Sequence, residues 1–107
     1  VMKLWLDDQC ADPATPDRHP PAGWTGVDNA LDACRLISKG IVTEISLDHD
    51  LGDNRATGYL VARFIEKRAY EKTLAPLTWA VHSANPVGRS NIISALNAAE
   101  RFWQNNR

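Results

Sequence analysis

Two kinds of apolar run alternate along the chain. The first kind is short. Leu4-Trp5-Leu6, within residues 3 to 7, is apolar on both faces, as a strand buried in a parallel sheet should be. Ile41 to Leu47 places Ile45 and Leu47 on one face, and Leu77 to His82 is a further strand of the same type. Trp24-Thr25-Gly26-Val27 forms a weaker strand pattern, because Gly26 interrupts it. The second kind has helical spacing. Ala30, Leu31, Ala33, Cys34, Leu36 and Ile37 form one face of a helix capped by Asp28 or Asn29 and closed by Gly40. Tyr59, Leu60, Ala62, Phe64 and Ile65 form a second, reaching Tyr70 or Lys72, whose charges (Arg63, Glu66, Lys67, Arg68, Glu71, Lys72) read as its solvated face. Ser90 or Asn91 caps a third, running to about Asn105, with Ile92, Ile93, Ala95, Leu96, Ala99, Phe102 and Trp103 turned inward.

Strands alternating with helices predict an α/β domain with a mostly parallel sheet. Right-handed crossovers then bring all strand C-termini to one edge. That edge collects Asp7, Asp8, Asp48, His49, Asp50, His82, Ser83 and Asn85, and in an open α/β sheet it is the ligand-binding edge. Residues 9 to 23 hold four prolines and no regular helix. This long loop leaves the acidic pair directly, so it is either a flap over the site or a proline-stiffened surface connection. Gly52 to Gly58 is a second loop. The four tryptophans, Trp5, Trp24, Trp79 and Trp103, all fall in apolar patterns and read as core.

With 107 residues and 44% apolar content, the chain is expected to fold as one domain, residues 1–107. Twelve basic and thirteen acidic residues give a net charge of -1, so no extended nucleic-acid surface is indicated. Cys10 and Cys34 lack metal-site spacing and are too few for a disulfide scaffold; free thiols in a reducing cytoplasm are expected. No run approaches the length of a membrane helix, and acids at Asp7 and Asp8 break any signal-peptide layout.

Carboxylates converging on one edge repel one another unless a cation lies between them. Oxygen-only ligation favours Mg²⁺, Mn²⁺ or Ca²⁺ over zinc, so a divalent cation held by Asp7 or Asp8 with Asp48 is expected. His49 and His82, beside such a site, are candidates for general acid and base or for further metal ligands. Ser83 and Asn85 precede a helix N-terminus that can hold an anion. Arg89, in the same turn, or Arg18, in the proline-rich loop, can bind phosphate in bidentate fashion. No Walker or Rossmann glycine pattern is present, and Ser83 lacks the context of a serine hydrolase.

An acidic pair after strand one, an Asp after a later strand and a hydroxyl residue after the next resemble the layout of response-regulator receiver domains. Leu4-Trp5-Leu6-Asp7-Asp8, Arg18, Pro21-Ala22-Gly23-Trp24, Ile45-Ser46-Leu47-Asp48-His49-Asp50-Leu51-Gly52, Thr57-Gly58-Tyr59 and Val81-His82-Ser83-Ala84-Asn85-Pro86-Val87-Gly88-Arg89 resemble the cyclic-phosphate-processing receiver family over nearly the whole chain. The resemblance implies a flavodoxin-like, receiver-type three-layer sandwich with a four-stranded, mostly parallel sheet. It also implies a metal-dependent phosphoesterase acting on 2′,3′-cyclic phosphate ends of RNA or on cyclic nucleotides. By that likeness Asp7, Asp8 and Asp48 hold Mg²⁺ or Mn²⁺. His49, Asp50, His82, Ser83, Asn85 and Arg89 line the substrate side. Two departures from ordinary receivers are expected within residues 1–107: no fifth strand, and so no lysine after it, and a proline-rich loop in place of the first helix. The alternatives are a non-catalytic module that sequesters a phosphorylated nucleotide, and a signalling receiver phosphorylated on Asp48.

Overall fold

Four strands and three helices alternate in the computed structural model, which describes residues 1–51 and 57–105. They are β1 (Met2–Leu6), β2 (Trp24–Val27), α1 (Ala30–Ser38), β3 (Val42–Leu47), α2 (Gly58–Tyr70), β4 (Thr78–Val81) and α3 (Pro86–Asn105). Most of the expected Gly52–Gly58 loop lies outside the described residues. All pairings in the sheet are parallel, and its order is β2-β1-β3-β4, so β4 forms an edge and no fifth strand follows it among the described residues. This is the receiver-type, flavodoxin-like architecture. No described helix is long and apolar enough to cross a membrane.

Register sorts the side chains onto two unlike faces. Leu4 and Leu6 align with Ile45 and Leu47, and Leu6 with Val27; all are buried with the inward residues of all three helices in one core. Both helical crossovers, β2 to β3 and β3 to β4, step the same way across the sheet. Their shared right-handedness therefore puts α1 and α2 on the same face. The alternate residues, Lys3, Trp5, Glu44, Ser46, Thr78 and Ala80, point the other way. There the third layer is the 7–23 loop, covering only part of the sheet: Cys10 and Pro20 sit against Gly26, and the Arg18 carbonyl accepts the Trp5 Nε1–H at 3.0 Å. The step from β1 to β2 runs in the opposite direction, so a right-handed connection carries the loop onto this second face.

Helix boundaries follow the capping chemistry. Asn29 caps α1, its side chain accepting the Asp32 N–H, and Gly40 adopts φ 76° just past the helix end. α3 starts earlier than the Ser90 or Asn91 expected from periodicity. Pro86 occupies its first turn, where a missing N–H costs nothing, and Asn85 Oδ1 accepts the Gly88 N–H at 3.0 Å. Two tryptophan expectations also change. Trp103 is core, 3% exposed, but Trp5 and Trp24 are only half-buried because they lie on the face without helices. Trp79 is half-buried at the sheet edge, with its Nε1–H donated to Glu100. Cys10 and Cys34 are free thiols.

Candidate functional site

The strand ends deliver the acids. Leu6 and Leu47 are paired in register, so the next residues, Asp7 and Asp48, leave the sheet side by side. The backbone holds both: Asp7 N–H donates to Val27 and Asp48 N–H to Leu6, each at 3.0 Å. Both carboxylates are nearly or wholly buried, and Asp8 is half-buried beside them. One oxygen from each of Asp7, Asp8 and Asp48 lies within 4.8 Å of the others.

Arg18 enters this cluster from the proline-rich loop. Its Nε meets Asp7 Oδ2 at 2.7 Å, and one terminal nitrogen meets Asp48 Oδ2 at 2.6 Å and Asp8 Oδ1 at 3.3 Å. Gln9 Oε1 accepts from the other at 3.4 Å. The loop is therefore neither a plain surface connection nor a loose flap. A short 3₁₀ turn at Pro16–Arg18, the Thr15 hydroxyl on the Gln9 carbonyl and His19 Nε2 on the Asp12 carbonyl fix its course.

His82 follows β4 and closes the far side. Its Nε2 lies 3.2 Å from Asp7 Oδ2 and its Nδ1 2.8 Å from Ser46 Oγ. Trp5 stacks on the imidazole, with centroids 3.9 Å apart and planes 6° apart. An ionised Asp7 can only accept, so the proton belongs on Nε2, and Nδ1 accepts from the Ser46 hydroxyl. Trp5 and Ser46 are site residues that the sequence reading missed. A signal existed: a serine between Ile45 and Leu47, on the strand face that also carries Trp5.

His49 and Asp50 form a second group. Asp50 Oδ1 accepts from His49 Nδ1 at 2.8 Å and from Asn85 Nδ2 at 3.4 Å. His49 Nε2 has no hydrogen-bond partner among the described residues. Two glycines admit this packing. A Cβ on Gly88 would run into the His49 ring, and one on Gly58 would overlap the Asp48 carbonyl oxygen. The second overlap is with backbone, and the Gly58 N–H is bonded to the His49 carbonyl at 2.9 Å, so neither partner can yield. Gly58→Ala is expected to destabilise the fold at the upper end of the ~1–3 kcal/mol that overpacking costs. Urea denaturation would show it as a lower midpoint with an unchanged slope.

Burial dominates the electrostatics of the site. Burial raises the Asp48 carboxyl above the ordinary aspartate range, and the Asp7 carboxylate adds to this, outweighing the nearby Arg18. Burial lowers His82 despite the Asp48 and Asp7 charges, so the imidazole is neutral at neutral pH. The hydrogen bond to Asp7 is the main reason that Arg18 is held above its usual range. The hydrogen bond from His49 does most to lower Asp50.

A cavity of about 290 Å³ opens onto Asp8, Gln9, Arg18, Asp48, Asp50, His82 and Ala84. Three larger surface grooves, along α2, beside β2 and between β4 and α3, contain none of these residues. Of the residues expected on the substrate side, His49, Ser83, Asn85 and Arg89 do not line the cavity. Ser83 is buried and its Oγ accepts the Asn85 N–H at 3.1 Å, while exposed Arg89 donates to the Val81 carbonyl at 2.6 Å. Asn85 serves as the α3 cap, using one of the N–H groups that an anion at that helix end would need.

A parallel sheet whose C-terminal edge gathers an acidic cluster from β1 and β3 defines a receiver-type domain. The chain belongs to the cyclic-phosphate processing receiver domain family, whose family model matches residues 2–98. Comparison with curated proteins gives no match.

Proposed function

We propose that this receiver-type domain is a metal-dependent phosphoesterase that opens cyclic phosphates, either the 2′,3′-cyclic ends of RNA or cyclic nucleotides. The observation that carries this reading is the convergence of Asp7, Asp8 and Asp48 on one point, two of them buried. The donor set suits a hard divalent cation such as Mg²⁺ or Mn²⁺, being all oxygen and already gathered around a positive group. One guanidinium answers three carboxylates there, and an anionic phosphate needs more positive charge than that. When bound, the cation would polarise a phosphoryl oxygen or activate water.

One histidine, His82, lines the cavity, and another, His49, stands behind its Asp50 wall. His49, whose Nδ1 is hydrogen-bonded to the cavity-lining Asp50 and whose Nε2 has no hydrogen-bond partner among the described residues, is the candidate base toward an attacking water. His82, neutral with its proton on Nε2, gives that hydrogen bond to Asp7 and is the candidate donor that would turn it to a phosphoryl oxygen once a cation took up the Asp7 carboxylate. Arg18 is the guanidinium that lines the cavity and is the candidate phosphate ligand. Ser83 and Asn85 shape the turn between His82 and α3, and Arg89 supports that turn from outside. In the reaction, water oxygen bonds to phosphorus, one phosphorus–ribose oxygen bond breaks, and the proton taken from water ends on the leaving oxygen.

The test is a panel of 2′,3′-cyclic nucleotides, 3′,5′-cyclic mono- and dinucleotides and an RNA ending in a cyclic phosphate, each with Mg²⁺, Mn²⁺ or EDTA. Ring opening that EDTA abolishes is the expected result. Recovery of intact ligand at one equivalent per chain would defeat the catalytic reading and indicate a sequestering module.

A further inference from the structure

Arg18 and the cation of the proposed site claim the same oxygens. Its guanidinium bonds to Asp7 Oδ2, Asp48 Oδ2 and Asp8 Oδ1 at 2.7, 2.6 and 3.3 Å. A Mg²⁺ ion shared by these acids would sit about 2.0–2.1 Å from its ligand oxygens. The N–H groups of Arg18 already occupy the space between those oxygens, so both cannot be bound at once.

We propose that Arg18 is a tethered occupant of the metal site, neutralising the acids in the metal-free protein and displaced into the adjoining cavity when a divalent cation binds. This rests on the metal reading above. Three observations support a side-chain swing. The Arg18 side chain is one-third exposed, with a path into solvent, and it lines the cavity. Its backbone is anchored separately, the carbonyl accepting from Trp5 Nε1 at 3.0 Å and the N–H bonded to the Thr15 carbonyl at 2.9 Å. The swing therefore needs no movement of the loop. Two of the three acids are buried, so the metal-free protein needs a resident cation to hold them.

The exchange also sets an order of events. Before metal binds, the guanidinium is committed to carboxylates and a phosphate meets mainly negative charge. After metal binds, the same guanidinium is free at the cavity to take a phosphate oxygen. Arg18 thus makes phosphate binding conditional on the metal.

Mn²⁺ titration of the wild-type chain and Arg18→Ala, followed by calorimetry and by the electron paramagnetic resonance of free Mn²⁺, tests this. Arg18→Ala is expected to bind Mn²⁺ about tenfold to a hundredfold more tightly, since a charge-assisted competitor has been removed. In the wild-type chain, the Arg18 Nε–H resonance should shift on Mg²⁺ addition with the midpoint of Mg²⁺ binding. This second measurement decides the matter if Arg18→Ala does not fold without metal. Equal or weaker Mn²⁺ binding by folded Arg18→Ala, or an Nε–H resonance unmoved at Mg²⁺ saturation, would overturn the displacement and leave the metal reading intact. Absence of Mn²⁺ binding in both proteins would remove both.

Discussion

Asp48→Asn is expected to lose metal-dependent ring opening by more than about a hundredfold. Loss of an outer-shell partner at a metal site already costs about 10–100-fold, and Asp48 is proposed as a direct ligand. Mn²⁺ binding should weaken in parallel, which separates this outcome from simple damage to the substrate side. The fold should survive, because Asp48 lies at the end of β3 beyond the apolar core. Its two oxygens now accept from the His49 N–H and from Arg18, at 2.9 and 2.6 Å. An amide offers one acceptor, so the variant gives up one of these bonds while shedding the repulsion from Asp7.

The pH dependence has a definite sign. The folded Asp48 carboxyl titrates above its unfolded value of about 3.9, so between the two the folded state holds the extra proton. Stability of the metal-free protein therefore falls as pH rises through that window, and Asp48→Asn lacks this component. The same proton competes with the metal, so Mn²⁺ affinity of the wild-type chain should fall on acidification starting above the ordinary aspartate range. Full turnover by Asp48→Asn would sink the metal reading.

The acidic edge was readable from sequence because it depends only on strand order and direction. A parallel sheet with right-handed crossovers has one C-terminal edge, and Asp7, Asp8, Asp48 and His82 had to meet there. What was not readable depends on which face a side chain takes and on contacts across the sheet. Trp5 sits between two buried leucines, and nothing local says that its indole lies outside the core, flat against His82. That follows because none of the described helices packs on the second face, whose space the proline-rich loop only partly fills. Arg18 could be read as a phosphate ligand but not as the group bonded to all three acids, because its reach depends on the 3₁₀ turn and the course of the loop. Arg89 illustrates the converse. Starting α3 at Pro86 puts it in the first helical turn, from which its guanidinium folds back onto β4.

His82 supplies the second large effect. His82→Ala is expected to lower turnover about 10²–10³-fold, the usual cost of deleting one preorganised donor to a developing negative charge. His82→Gln should stay within about tenfold of wild type by the same reasoning, because its amide N–H can occupy the position of the Nε2–H. The contrast arises from the present hydrogen bonds: Asp7 keeps the proton on Nε2, Ser46 satisfies Nδ1, and the Trp5 stack fixes the ring plane. A neutral imidazole so held donates a hydrogen bond rather than carrying a proton through the reaction. If His82 were the proton carrier, the glutamine variant would be as inactive as the alanine variant. Stability gives an independent check. Unfolded histidine titrates near 6.5 and folded His82 below that, so between the two values the unfolded state binds the extra proton. Acidification through this window destabilises the wild-type fold, and the loss is complete below the lowered folded value. The thermal midpoint of the wild-type chain should therefore drop more steeply below pH 6.5 than that of His82→Gln, whose amide does not titrate. Parallel midpoints through that range would mean that His82 is not held neutral, and the donor role would go with it.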